Sequence, residues 1–201
     1  MLRRFTASLL PSASSAIFVL AWTAVLAPVL RAADPLFDSA KAKLDRLLDG
    51  TAQPGSEMVF TPAEIEAWTR VKAHDEVGDA LRELHVTLET DSGSGSALVD
   101  FLKMRQARGK DTNALMARIL EGERPLKVFL RISSSGGRCT VYVTRVELSG
   151  GEISGALLDY LIKTFLLPLY PDVKLGQPFD LPLSMERVEI QPAGVHVTMK
   201  K

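Results

Sequence analysis

The chain has 201 residues, 24 Lys plus Arg against 24 Asp plus Glu, a single cysteine and 46% hydrophobic residues. So even a charge balance leaves no basic footprint of the kind that general nucleic-acid binding requires, and one cysteine excludes an internal disulfide. The length suits one domain with a sizeable core.

Residues 1–33 carry Arg3, Arg4 and no acidic residue, followed by an apolar run, Ala16 to Leu30, interrupted by Pro28. A membrane span needs about 20 apolar residues, and this run is shorter, so the segment reads as an export signal cleaved near Ala32 or Ala33. The expected address is the periplasm; an uncleaved inner-membrane anchor is the alternative. Cys139, the one cysteine, is far from the cleavage point and excludes lipidation there. Without Arg3, Arg4 and Arg31 the chain keeps 21 basic and 24 acidic residues, a net charge of −3.

Residues 34–57 read as a short helix and a linker. Leu36, Ala40, Leu44 and Leu47 share one helical face, and Asp49 to Glu57 is rich in Gly, Pro, Thr and Ser. Residues 58–201 then form a single domain. Thr61-Pro62-Ala63-Glu64 predicts a helix start: Thr61 caps, Pro62 fits the first position, Glu64 completes a capping box, and Phe60 and Ile65 form a staple. Ile65, Trp68 and Val71 make its apolar face. From Leu84 the period becomes two, Asp91 to Gly95 predicts a turn, and Ala97 to Met104 the return strand. A second helix is predicted from about Asp111 to Glu121.

The order recurs. Leu126, Val128, Leu130 and Ile132 alternate, Ser133 to Gly137 reads as a turn, and Cys139, Val141 and Val143 alternate after it. A third helix, about Ser154 to Leu167, keeps only Asp159, Lys163 and Thr164 as a polar strip, more apolar than one sheet-facing stripe needs. The last hairpin pairs Met185–Gln191 with Val195–Lys200 across Pro192-Ala193-Gly194. Helix followed by hairpin, three times, predicts an α+β fold: a curved antiparallel sheet of about six strands built from hairpins, wrapped on about three amphipathic helices.

Phe60 to Trp68, Ala97-Leu98-Val99-Asp100-Phe101, the helix after Gly150, and Pro178-Phe179-Asp180-Leu181-Pro182 together resemble a family of secreted bacterial proteins, mostly uncharacterised. These are similar to LmeA-like phospholipid-binding and AsmA-like envelope proteins, which in turn resemble tubular lipid-binding modules. The resemblance covers roughly residues 58–201 and implies lipid handling in the envelope. Glu66 and Trp68 depart from its pattern, where Asn and Tyr or Leu are commoner.

No catalytic signature accompanies it. His74, Asp75 and Glu76 are adjacent, whereas helical metal ligands lie three or four apart, so a solvated helix end is expected. His85 and His196 alternate with apolar residues and read as surface histidines. The serine run 133–135 lacks both the G-x-S-x-G elbow and a P-loop lysine. Cys139 reads as a small buried hydrophobe. We therefore expect no enzyme activity, no metal and no cofactor. The expectation is a groove between sheet and third helix that binds a lipid or other apolar small molecule, lined by Trp68, Phe101, Leu157, Leu161, Phe165 and Phe179. Beside it Lys103, Arg105, Arg108 and Lys110 form a basic loop that can meet anionic headgroups at a membrane surface. The alternatives are a structural or interaction protein without a ligand, and a hydrolase assembled from residues distant in sequence.

Overall fold

The computed structural model describes residues 34–106, 118, 120–166, 175–182 and 184–201. Among them the order is α1 (Pro35–Leu48), β1 (Glu57–Phe60), α2 (Pro62–Val77), β2 (Leu81–Glu89), β3 (Ser92–Asp100), α3 (Phe101–Gln106), β4 (Glu123–Ser135), β5 (Arg138–Leu148), β6 (Gly151–Glu152), α4 (Gly155–Leu161), β7 (Phe179–Asp180), β8 (Met185–Gln191) and β9 (Gly194–Met199). The fold is α+β and antiparallel, as the helix and hairpin order predicts. The expected second helix falls almost wholly outside the described residues, as do Leu167 and Arg108 and Lys110 of the basic loop.

Two sheets form. The larger has the order β2-β3-β4-β5-β6, with β7 paired to the other end of β5. The smaller has the order β1-β9-β8, so the closing hairpin, expected in the main sheet, instead builds a sheet of its own around a strand that begins in the supposed linker. Val59 lies opposite His196 there. The Thr90-Asp91 and Gly136-Gly137 turns of the large sheet dock on β8: Asp91 N donates to Ile190 O (2.9 Å) and Gly137 N to Glu186 O (2.8 Å). Gly137 has φ +73, and a Cβ there would sit 3.0 Å from Lys200 Nζ, so this turn takes glycine.

Three local devices depart from the sequence reading. The Asp91–Gly95 turn is confined to Thr90-Asp91, and Ser92–Gly95 are in β3, because β3 is paired on both sides, Ser94 with Thr87 and with Phe129. Ladder bonds on two edges outweigh the weak strand preference of Ser and Gly. β3 stops at Asp100 rather than running to Met104: the Asp100 carboxylate accepts from Lys103 N at 2.9 Å and opens α3. In β5 the register shifts so that Leu130 faces Val143 while Phe129 faces Arg145, leaving Thr144 as the extra residue. This bulge changes the phase, and Val143 and Val146 both face inward despite their odd spacing. A bulge between Arg82 and His85, with Glu83 at φ +51, acts likewise in β2.

Two buried clusters result. The first gathers Leu44 and Leu47 of α1, Phe60, Ile132, Val141 and the inner faces of β8 and β9, with Trp68 and Phe179 packed against it. The second gathers Val77, Val99, Phe101, Met104, Leu120, Leu161 and Phe165. One face of β4 serves both. The buried Glu64 ties α1 to the start of α2: it accepts from Lys43 Nζ at 2.6 and 2.7 Å, from Ser39 Oγ at 2.5 Å and from Thr61 N at 2.8 Å. Burial alone would raise this carboxyl, but the hydrogen bonds from Lys43, Ser39 and Thr61 and the Lys43 charge outweigh it and bring the pKa from 4.5 to about 2. The Thr61–Glu64 capping box is present, as its spacing predicts.

Candidate functional site

The second cluster is incompletely closed. Between the large sheet and the two helices α3 and α4 lies a partly open groove of about 260 Å³. β4 supplies its floor with Leu126, Val128 and Leu130, flanked by Leu81 and Val99 on one side and by Val143 and Val146 on the other. The alternation of β4 and the bulge at Thr144 put all of these on one face. Phe101 and Met104 come from α3, and Leu158, Leu161, Ile162 and Phe165 from α4 and the π-helical turn Ile162–Leu166 that continues it. Each of the thirteen lining side chains is apolar. Val128, Leu130, Val143, Leu158 and Ile162 are only half-buried, so the protein's own atoms leave part of this face uncovered. π-helical turns are frequent at functional sites, and this one contributes Ile162 and Phe165 to the groove wall.

Of the six side chains read from the sequence as groove residues, Phe101, Leu161 and Phe165 meet here, and Leu157 packs on the same cluster outside the lining. Trp68 and Phe179 are elsewhere. Phe179 pairs with Cys139 at the turn end of the β4–β5 hairpin, while the groove occupies its other half, and Trp68 packs on the first cluster. The sheet floor escaped the sequence reading because alternation says which residues point inward but not which of two cores they reach.

Of the basic run, Lys103 is exposed and pairs with Asp100 at 3.4 Å. Arg105 is half-buried, its Nη1 3.4 Å from Tyr160 Oη. Arg108 and Lys110 lie outside the described residues.

Two other hollows have charged side chains at their walls. One, about 380 Å³, lies between the sheets near Asp91, Arg131, Ser134 and Glu189, but Ser134 Oγ is committed to Val188 N at 3.0 Å. The other, about 310 Å³, lies on the outer sheet face beside Glu83, His85, Lys127 and Glu147. His85 is 3.7 Å from Glu66, a carboxylate that also accepts from Val86 N at 3.0 Å and so caps a donor of the edge strand. His74, Asp75 and Glu76 are exposed at the end of α2, and His196 is half-buried with its Nδ1 2.8 Å from Glu57. Among the described residues no three His, Cys, Asp or Glu side chains are placed to hold a metal ion. Burial pushes the Cys139 thiol up to about 11. Among the described residues no helix is long and apolar enough to cross a membrane.

Comparison with family models, with curated proteins and with solved structures finds no match.

Proposed function

We propose that the protein is a non-enzymatic binder of an apolar chain, acyl or isoprenoid, held in the groove between the large sheet and α3 and α4. A groove whose thirteen lining side chains among the described residues are all apolar carries this reading. Its size, just below the about 300–1,000 Å³ of typical small-molecule sites, suits one chain rather than a two-chain lipid body. Each methylene that leaves water contributes about 0.8 kcal/mol, so even half of a long chain would survive gentle purification. The apolar N-terminal segment, which reads as an export signal, supports a cell-envelope address for this binding.

Native mass spectrometry of the gently purified protein, with lipid extraction, tests the reading. We expect a bound apolar molecule that is lost in Leu158→Glu, a half-buried lining position where a charge can still reach water. Ligand-free protein that also fails to take up a fluorescent fatty acid would sink it, leaving an interaction protein without a ligand.

A further inference from the structure

The packing of the described residues does not account for Gly95. It lies in the middle of β3, paired with Val86 on one side and with Val128 on the other. Glycine weakens a strand interior, and there it marks a bulge, a bend, or a place where a ligand or another backbone comes close. No register shift falls at Gly95, and its φ is not positive. Nor does another backbone approach, since a Cβ there would meet none of the described residues within 4 Å. Gly93, two residues earlier, is different: its Cβ would lie 3.2 Å from Thr87 O and 3.5 Å from Leu88 Cδ2. The open space over Gly95 is on the groove side of the sheet. Gly95 shares the inward face of β3 with Val99, and its cross-strand neighbour Val128 belongs to the groove floor, as Val99 does. Val86, Gly95 and Val128 are all half-buried.

We propose that Gly95 is the chain-selecting residue of the groove, and that the ligand is a straight-chain acyl group rather than a methyl-branched isoprenoid. Val86 and Val128 stand on the strands to either side of β3, about 10 Å apart at a strand spacing of about 4.8 Å. Less the two valine side chains, that is the width of one unbranched hydrocarbon chain. From Val99 to Gly95 the strand advances about 13 Å, so a chain seated on the groove floor continues along β3 between these valines. Leu88, lying over Gly93, shuts the far end. The regular methyl branches of an isoprenoid exceed the width that Val86 and Val128 leave, whereas a polymethylene chain fills it.

This inference rests on the groove reading, and one experiment separates the two. Decanoic, dodecanoic and hexadecanoic acids and 3,7,11-trimethyldodecanoic acid compete against a fluorescent apolar probe on the full-length protein. The branched acid has the backbone length of dodecanoic acid and three more methyls, so apolar transfer alone favours it, by about four-fold per carbon. We expect the reverse, dodecanoic acid binding about 10-fold or more tightly than its branched counterpart. In Gly95→Val, hexadecanoic acid should lose about 10-fold or more while decanoic acid stays within about two-fold. The melting temperature of that variant should hold or rise, because a β-branched residue suits a central strand. Gly95→Ala, a smaller step in the same direction, carries this arm should Gly95→Val fail to fold. Ser94→Val puts the same side chain on the opposite face of β3 and should leave every affinity as it was. A branched acid that binds as well as dodecanoic acid overturns the straight-chain class. Hexadecanoic acid binding that is unchanged in Gly95→Val, lost equally in Ser94→Val, or lost together with decanoic acid overturns the role of Gly95. Each of these results spares the groove, whereas no binding of any acid overturns the groove and the chain selection together.

Discussion

Phe101 and Phe165 meet edge-on, ring centroids 4.9 Å apart and planes at 67°. One ring opens α3 directly after β3 and the other lies in the π-helical turn after α4, so this contact fixes two segments far apart in the chain at one side of the groove. Each ring alone fills core volume, and truncation to Ala should cost about 3–5 kcal/mol. The double variant should cost less than the sum by about 1 kcal/mol, since an edge-on pair contributes about 0.5–1.5 kcal/mol beyond burial. Chemical denaturation of the four proteins measures this; strict additivity would mean that the rings do not support one another.

Glu64 makes acid stability measurable. Its folded pKa, about 2, lies below the ordinary 4.5, so its contribution is complete above about pH 5 and is lost as pH falls toward 2. The shift corresponds to about 3 kcal/mol at most. Glu64→Gln should lower stability at pH 7 and flatten the acid limb of the curve, leaving the two proteins nearly equally stable near pH 2. Parallel curves for the two proteins would rule out this role.

Cys139 is 1% exposed and its thiol is pushed up to about 11 by burial, so thiolate at pH 8 is scarce and unreachable. A thiol reagent should label the native protein roughly a hundredfold or more slowly than the unfolded chain, at a rate that follows global opening. Rapid labelling of folded protein would place the first core among loosely closed regions.

Gly194 is required by a close approach. A Cβ there would overlap the Phe60 carbonyl oxygen and come within 3.1 Å of Val59 Cγ1. Gly194→Ala should therefore force β9 away from β1 and destabilise by about 2–4 kcal/mol. Gly95→Ala in β3, where a Cβ meets nothing within 4 Å, is the control and should be neutral or slightly stabilising. Thermal melts separate the two.

What could be read from the sequence was what neighbouring residues decide. Thr61, Pro62 and Glu64 announce α2 because a capping box is completed within one turn. The alternation of Leu126 to Ile132 announces β4 for the same reason. Met58 and Phe60 did not announce a strand, since what makes them one is a partner near the other end of the chain, Val197 and Val195. The bulge at Thr144 and the cap at Asp100 are single-residue events that break a period without advertising it. At the groove, the excess of apolar positions in α4 pointed to Leu161 and Phe165, but assigning Trp68 and Phe179 required knowing that there are two cores.

That β9 lies between β1 and β8 has a consequence for the order of folding. During synthesis β1, α1 and α2 emerge early, yet the central strand they pack around, Gly194–Met199, emerges after every other strand described. Until then Phe60, Leu44 and Leu47 lack the β8–β9 side of their core, and loop closure over most of the chain must be overcome before those contacts reward it. β1, α1 and α2 thus lack their central strand until the far end of the chain has been made, so the small sheet is a late product of folding.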